Sequence, residues 1–229
     1  MKLFIESAEV GKIKEAWSWG ILDGVMTSPA LVAQTGRKAD ELYREICAAA
    51  DGAVCVEAVA LMAKDIATEA RLLSKISRDI IVKIPITKEG LKTVKRLEEE
   101  GITTNVTVVY SPFQALLAAK AGASYASLFV GGLDETGQAG AEVVRQIKTI
   151  YRNYGFKTQI IVDAVQHPMP VLEAALAGAD VCAASFEVLD QLYQHPLTNI
   201  GIAMSLKEWA KVLKTAPGAS AGEDSAKAK

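Results

Sequence analysis

The sequence has little net charge and no long apolar run. Its net charge of −2 leaves no electrostatic footprint for nucleic acid or for an anionic membrane surface. No apolar run approaches the roughly 20 residues that a membrane span needs. The start, MKLFIESAEV, turns polar too soon for a signal peptide. We therefore expect a cytoplasmic protein that binds neither nucleic acid nor membrane.

Cysteine and histidine are also scarce. The three cysteines, Cys47, Cys55 and Cys182, are odd in number and widely separated, and His167 and His195 are far apart as well. None of them forms the close pair that is typical of a metal site. We interpret the thiols as reduced, small hydrophobic side chains in a cytoplasmic protein, and we predict no metal site.

What the sequence does have is a regular alternation of short apolar runs and helical patterns. Each run is four to eight residues long and rich in β-branched residues, which predicts a strand. The predicted strands are LFIES (3–7), GVMTS (24–28), AVCVEAV (53–59), IIVKIPI (80–86), TTNVTVVY (103–110), YASLFVG (125–131), TQIIVDAV (158–165) and DVCAASF (180–186).

Helical segments with recognisable ends lie between these strands. Thr87 is a plausible N-cap for KEGLKTVKRLEEEG, and Pro112 follows Ser111 at the first position of the next helix. Eight strand–helix units in about 215 residues predict an α/β fold, a single (β/α)₈ TIM barrel. A doubly wound open sheet is the alternative, although no G-x-G-x-x-G follows the first strand.

An additional amphipathic helix follows the eighth strand. In SLKEWAKVLKTA, Leu206, Trp209, Ala210 and Leu213 share one face. This helix could cap the barrel or pack on another subunit. We predict one domain over residues 1–215, the barrel with its C-terminal helix, followed by a disordered tail over 216–229.

The lysine at position 83 stands in the middle of an apolar strand. Ile81, Lys83 and Pro85 share one face of the fourth strand. If that face points into the barrel, desolvation would favour the neutral amine, which can attack a carbonyl and form a Schiff base. The alternative is a lysine that snorkels to water from a strand end.

Polar residues recur late in the other apolar strands. Barrel enzymes carry their chemistry at the carboxyl ends of the strands, so these side chains are expected to converge beside the lysine. They are Glu6, Ser28, Glu57, Asn105, Thr107, Ser127 and Asp163. The last two loops, VQHPMP and AASFEV, contain no Arg or Lys, so no strong phosphate site is visible there.

Several stretches resemble the small transaldolase and fructose-6-phosphate aldolase family. The likeness covers about residues 2 to 212. It is carried by WGILDGVMTSPALVAQTG, VEAVAL, IIVKIPITKEGLKTVKRLEEEGITTNVTVVYSPFQALLAAKAGASYASLFVGGLD, NYGFKTQIIV, HPMPVLEAALAGADV and HPLTNIGI. The resemblance implies a (β/α)₈ barrel, class I chemistry without metal or other cofactor, a sugar or ketone substrate, and a homo-oligomer, a pentamer or decamer.

The same resemblance implies roles for individual residues. Lys83 would form the Schiff base with a ketose, while Glu57 and Thr107 would hold a water that relays protons. Asn105 would lie beside the lysine. Glu57 and Phe129 stand where the aldolase branch has Gln and Tyr, which is similar to the transaldolase branch.

The chain also departs from the family pattern. Glu6 replaces an aspartate that assists C–C cleavage, and Ser28 replaces an asparagine that binds substrate hydroxyls. The family's phosphate site uses an arginine, a serine and a basic residue. This chain has Gly132, Ala164 and Gln166 at those positions.

The residues expected to act follow from these observations. Asp163 stands where the family has a small residue, so a carboxylate is added near a site that has lost two cations. The predicted catalytic residues are Lys83, Glu57, Thr107 and Glu6. The predicted substrate-binding residues are Ser28, Asn105, Ser127, Phe129, Asp163 and Gln166.

Three functional hypotheses remain open. The first is a Schiff-base aldolase or transaldolase that moves a three-carbon dihydroxyacetone unit and prefers weakly phosphorylated or unphosphorylated substrates. The second is an ordinary sugar-phosphate transaldolase of the pentose phosphate pathway, with phosphate held elsewhere, for example by Arg37, Lys38 or backbone amides near Ala184 and Ser185. The third is a non-catalytic barrel used for binding or assembly.

Overall fold

The computed structural model describes residues 1–215 and contains a closed barrel of eight parallel strands. Each strand pairs with the next one in the sequence, and β1 (Lys2–Glu6) pairs with β8 (Val181–Ala184) to close the barrel. This arrangement confirms the predicted (β/α)₈ barrel and rules out the open doubly wound sheet. The chain divides into two compact units, one over Met1–Gln191 and one that begins at Leu192.

All eight predicted strands are present. The remaining six are β2 (Gly24–Met26), β3 (Ala53–Glu57), β4 (Ile80–Pro85), β5 (Thr104–Val109), β6 (Tyr125–Phe129) and β7 (Gln159–Val165). Several predictions ran too far toward the carboxyl end. Val130 and Gly131 open a helix instead of extending β6, because the chain turns outward as soon as it leaves the barrel.

Eleven helices lie within the described residues. They are α1 (Val10–Ser18), α2 (Pro29–Gln34), α3 (Ala39–Ala49), α4 (Ala63–Leu73), α5 (Lys88–Glu99), α6 (Pro112–Lys120), α7 (Val130–Glu135), α8 (Gly140–Tyr154), α9 (Pro168–Ala177), α10 (Phe186–Gln191) and α11 (Pro196–Thr215). The predicted caps are confirmed. Thr87 accepts a hydrogen bond from the N–H of Gly90, and Ser111 accepts one from Gln114.

Two apolar layers hold the first unit together. The larger one fills the space between the outer faces of the strands and the helices. The smaller one lies inside the barrel and consists of Phe4, Met26, Cys55, Ile81, Ile161, Val181 and Ala183. Since side chains two residues apart share a face, Glu6, Glu57, Lys83 and Asp163 lie directly beyond this inner layer, toward the carboxyl end. All three cysteines are free thiols, as predicted.

The second unit contributes one helix to the described chain. Helix α11 begins at Pro196, nine residues before the start of the predicted SLKEWAKVLKTA segment. The predicted domain boundary at residue 215 stays a prediction, and the predicted tail, 216–229, lies outside the described residues. None of the described helices combines the length and the apolar composition that crossing a membrane requires.

One carboxylate connects a helix to β5 and to the residue just before β6. Glu98 Oε1, near the end of α5, accepts hydrogen bonds from the backbone N–H groups of Thr104 and Ser124 at 2.9 Å each. It also accepts bonds from both hydroxyl groups. Thr104 is fully buried, so its N–H has no access to water if Glu98 is removed.

We expect Glu98→Ala to lower the free energy of unfolding by about 1–3 kcal/mol, the usual cost of leaving buried polar groups unpaired. Urea denaturation followed by circular dichroism measures this. The matched control is Glu99→Ala, at the exposed neighbouring position of the same helix. Equal midpoints for the two variants would show that the Glu98 hydrogen bonds contribute no net stability.

Candidate active site

Lys83 lies inside the barrel and not at its surface. Its side chain is 2% exposed, which contradicts the snorkelling alternative. Its Nζ donates a hydrogen bond to the carbonyl oxygen of Thr27 at 3.2 Å. The same nitrogen lies 3.7 Å from Glu57 Oε2 and 3.7 Å from Asp163 Oδ2. The amine is therefore surrounded by acceptors and is close to two groups that can take its proton.

Strand register explains why these side chains meet. Lys83 on β4 is the direct neighbour of Glu57 on β3 and of Asn105 on β5. Since strands in a sheet lie about 4.8 Å apart, residues in one row point into the barrel at the same level. On β6, Ser127 shares the inward face, and its Oγ accepts a hydrogen bond from Asn105 Nδ2 at 2.9 Å. The predicted group of Lys83, Glu57, Asn105, Ser127 and Asp163 is thus brought together.

Three buried polar atoms in this region have no hydrogen-bond partner within the protein. They are Asn105 Oδ1, Thr107 Oγ1 and Asp163 Oδ2. Most buried polar atoms in native proteins are paired, so unpaired ones call for a reason. Here all three belong to strand residues at the carboxyl end of the barrel, and two of them can only accept. Such a set is suited to a ligand that donates hydrogen bonds, as hydroxyl groups do.

Two irregular strand ends follow two of the site residues. Val108 has a φ of 62° directly after Thr107, and Ala164 has a φ of 59° directly after Asp163. The register of β5 and of β7 shifts at these places, as it does at a β-bulge. A positive φ is unfavourable for alanine and more so for the β-branched valine, so the rest of the barrel must hold the backbone there.

The second bulge fixes the carboxylate of Asp163. The backbone N–H of Ala164 donates a hydrogen bond to Asp163 Oδ1 at 2.9 Å, while Oδ2 faces Lys83. Asp163 is 1% exposed, so Lys83 and this backbone donor are its main sources of stabilisation. The carboxylate that the sequence placed near the lysine is therefore part of the same charged group.

Glu6 joins the group from the end of β1. The pKa of its carboxyl is raised from 4.5 to about 7, mainly by burial and also by the Asp163 carboxylate, while Lys83 opposes the rise. Burial also raises the pKa of Glu57, against the opposing effect of Lys83. The pKa of each carboxyl group is thereby shifted toward neutral pH, where a group can both give and take protons.

Three other predicted residues are placed less directly. Ser28 is the N-cap of α2, where its Oγ accepts a hydrogen bond from the N–H of Leu31 at 3.3 Å, so its hydroxyl already has a structural role. Gln166 is exposed, and its Nε2 is 3.5 Å from Glu135 Oε1. Phe129 is half-buried opposite Asp163 in the β6–β7 register. Their roles in substrate binding stay predictions.

The sequence did not indicate two contributors to this region. The carbonyl of Thr27 binds the lysine, but a backbone acceptor leaves no signal in residue type. Tyr110 follows β5, and its ring centroid is 5.8 Å from that of Phe129. Its position as the last residue of the predicted strand 103–110 was the available signal. Within residues 1–215, no three His, Cys, Asp or Glu side chains are grouped so that they could hold a metal ion.

Comparison with known proteins agrees with this arrangement. The family model described as transaldolase/fructose-6-phosphate aldolase matches residues 3–226. The chain belongs to this family. The recognition made from the residues around Lys83 is thereby confirmed, and the protein is an enzyme of the transaldolase type.

Relatives in other organisms are similar along almost the whole chain. A probable transaldolase of Aquifex aeolicus is 54% identical over 212 residues, which cover 93% of this chain and 98% of the relative. A probable transaldolase of Dictyoglomus turgidum is 53% identical over 214 residues, 93% of this chain and all of the relative. One from Methanococcus maripaludis is 50% identical over 209 residues, 91% and 97% of the two chains.

The raised pKa of Glu6 predicts a pH-dependent loss of stability. Because the fold favours the protonated carboxyl, the stabilisation that Glu6 contributes is fully present below pH 4.5 and is lost as the pH rises through about 7. We expect Glu6→Gln to remove this loss, so that the variant becomes more stable than the parent protein above pH 7, by on the order of 2 kcal/mol.

Chemical denaturation at several pH values between 4 and 8.5 measures the difference. Glu99→Gln, which changes an exposed carboxylate, serves as the control. A constant difference between the Glu6→Gln variant and the parent protein across this range would contradict the assigned shift.

Proposed function

We propose that this protein is a class I aldolase of the transaldolase type, in which Lys83 forms a Schiff base with a ketose. The observation that carries the proposal is the buried amine of Lys83, 3.7 Å from each of two carboxylates, at the carboxyl end of the barrel. Membership in the transaldolase/fructose-6-phosphate aldolase family supports it. The enzyme transfers or releases a three-carbon dihydroxyacetone unit.

The chemistry begins at the lysine. Its neutral amine attacks the ketose carbonyl, and the carbinolamine loses water to give an iminium ion. A carboxylate then takes the proton from the hydroxyl on the β-carbon. The bond between the α- and β-carbons breaks, its electron pair neutralises the iminium as an enamine, and an aldehyde leaves. The enamine next takes a proton, or it attacks an acceptor aldehyde. Hydrolysis of the new iminium returns the amine.

The neighbouring side chains divide the remaining tasks. Glu6, with its pKa near 7, takes the β-hydroxyl proton, which requires a carboxyl that changes charge near neutral pH. Glu57 and Thr107 move protons to and from the carbinolamine oxygen through a water molecule. The unpaired Asn105 Oδ1 and its partner Ser127 bind substrate hydroxyls.

The charge around the lysine favours substrates with little or no phosphate. Glu6, Glu57 and Asp163 face one lysine, so the group carries a formal charge of −2 when all are ionised. Two unit charges 4 Å apart repel by about 4 kcal/mol at an effective dielectric constant of 20, which disfavours a phosphate dianion nearby. Gly132, Ala164 and Gln166, at the positions implied for phosphate binding, supply no cation.

An ordinary sugar-phosphate transaldolase is the second candidate function. The names of the relatives favour it, since each is a probable transaldolase. Phosphate would then need other partners. Arg37 is already paired with Glu45 through two hydrogen bonds, and Lys38 lies 3.5 Å from Glu41. We therefore favour the enzyme that prefers weakly phosphorylated or unphosphorylated substrates. A non-catalytic barrel would leave the position of Lys83 without a purpose.

The setting of the enzyme is proposed from the same resemblance. We expect a cytoplasmic homo-oligomer, a pentamer or decamer, acting on a small sugar or ketone. The sequence's near-neutral charge is in keeping with a partner that is neither nucleic acid nor an anionic membrane.

Reduction with borohydride tests the Schiff base. We expect dihydroxyacetone and fructose, each tested alone, to give a reduced adduct that adds the mass of the bound ketone less one oxygen atom to the intact protein. Peptide mapping should place the adduct on Lys83. Fructose 6-phosphate should give less adduct. Lys83→Met should abolish the adduct because no amine remains, whereas Lys38→Met, which removes an exposed lysine, should not.

Two outcomes would change the conclusion. Adduct formed mainly with fructose 6-phosphate would favour the ordinary transaldolase. No adduct with any of the three ketones would favour the non-catalytic barrel.

A cation added near the site should restore binding of phosphate. We expect Gln166→Arg to raise kcat/KM for fructose 6-phosphate about tenfold, since one charge-assisted contact is worth roughly 1.5–3 kcal/mol. Steady-state kinetics with fructose and fructose 6-phosphate measures this. Gln146→Arg, on the exposed face of α8, adds the same charge elsewhere and should change neither substrate. A similar gain in both variants would indicate a long-range charge effect.

A further inference from the structure

Two aromatic rings lie beside the candidate active site, and only one of them was indicated by the sequence. Tyr110 directly follows β5, and Phe129 is the last residue of β6. Their ring centroids are 5.8 Å apart at an interplanar angle of 45°. Tyr110 is 40% exposed and Phe129 is half-buried. The pair therefore presents aromatic surface at the ends of two neighbouring barrel strands.

Tyr110 is held at its backbone and packs through its ring. Its backbone N–H donates to Gln114 Oε1 at 2.8 Å. Its ring also lies over Gly132 of α7, because a Cβ added at Gly132 would be 3.0 Å from Tyr110 Cε1. The ring therefore occupies the space that a side chain at position 132 would fill. Such a fixed ring can contact a ligand with little loss of side-chain entropy.

Strand pairing places the aromatic pair next to the residues that surround Lys83. Ser127 and Phe129 share the inward face of β6. Ser127 is bonded to Asn105, the direct neighbour of Lys83, and Phe129 is the direct neighbour of Asp163. A ligand attached to Lys83 and extending outward on this side would pass from Ser127 toward Phe129 and then Tyr110.

This side of the barrel offers no lysine or arginine. Residues 104–119, 125–144 and 159–168, which form the ends of β5, β6 and β7 and the helix starts that follow, contain neither residue type. Among the described groups there, Asp163 and Glu135 are carboxylates and Gln166 is an amide. The far end of a ligand would meet aromatic carbon and negative charge.

We propose that Tyr110 and Phe129 form the binding surface for the acceptor aldehyde, and that this acceptor is uncharged and presents a flat or aliphatic C–H surface. The proposal rests on the Schiff-base function and names its second substrate. The donor is bound to Lys83 as an enamine, and its nucleophilic carbon forms the new C–C bond to the aldehyde carbon. The aldehyde oxygen takes a proton, and hydrolysis of the resulting iminium releases the product and the amine.

The test uses the full-length protein with dihydroxyacetone as donor and three acceptors. These are phenylacetaldehyde, D-glyceraldehyde and glyceraldehyde 3-phosphate. We expect kcat/KM to be highest for phenylacetaldehyde and lowest for the phosphate. Tyr110→Ala should lower kcat/KM for phenylacetaldehyde about tenfold, mainly by raising KM, since an aromatic contact and its buried area are lost. The loss for glyceraldehyde should be about twofold.

Matched variants separate stacking from folding. Tyr110→Phe keeps the ring and should retain activity with phenylacetaldehyde. Tyr110→Leu keeps apolar bulk without the ring and should fall between the two. Tyr154→Ala removes an exposed tyrosine at the end of α8, at the opposite end of the barrel from the site, and should leave all three rates unchanged.

The results distinguish this inference from the function on which it rests. If dihydroxyacetone is trapped on Lys83 but the phosphorylated acceptor is preferred, the aromatic surface is wrong and the Schiff base stands. The same holds if Tyr110→Ala lowers all three rates equally. If no donor is trapped on Lys83 in the parent protein, the Schiff-base function falls, and the inference falls with it.

Discussion

The structure at the carboxyl end of the barrel depends on the burial of one amine. Taking a lysine out of water is costly unless hydrogen bonds and opposite charges stabilise it. Lys83 has both, from the Thr27 carbonyl and from the carboxylates of Glu57 and Asp163. These three residues come from β3, from β7 and from the chain just after β2. One buried side chain thereby fixes the relative positions of distant parts of the sequence.

The carboxylates in turn depend on the lysine. Asp163 is as buried as Lys83, and Glu6 is pushed toward neutrality by its own burial and by Asp163. With one cation among three acids, the protons are shared by the group as a whole, and a change at one residue alters the others. A Schiff base keeps a positive charge at the same nitrogen. The reaction that we propose would therefore leave the balance of charge in the group almost intact.

Much of this arrangement follows from the alternation of side chains along each strand and from the way the strands pair. Alternation of side chains placed Ile81, Lys83 and Pro85 on one face, and the register of β3, β4 and β5 then brings Glu57 and Asn105 beside the lysine.

The bulges after Thr107 and Asp163 could not be predicted, since valine and alanine are poor residues for a positive φ. Ser28 caps a helix, a role to which a serine before proline is suited, and its predicted part in substrate binding stays a prediction. Tyr110 was taken as the end of a strand because the sequence does not show that its ring leans over Gly132.

The two oxygens of Asp163 have separate tasks. Oδ1 holds the backbone of the bulge through Ala164, and Oδ2 faces the lysine. The same bulge leaves room for no side chain at Gly131, where a Cβ would be 2.6 Å from the Ala164 carbonyl oxygen. Shape and charge are thus controlled by different atoms of one residue. An asparagine at this position could keep an acceptor for the Ala164 N–H while it removes the negative charge, so the path of the chain and the electrostatic character of the site can change independently.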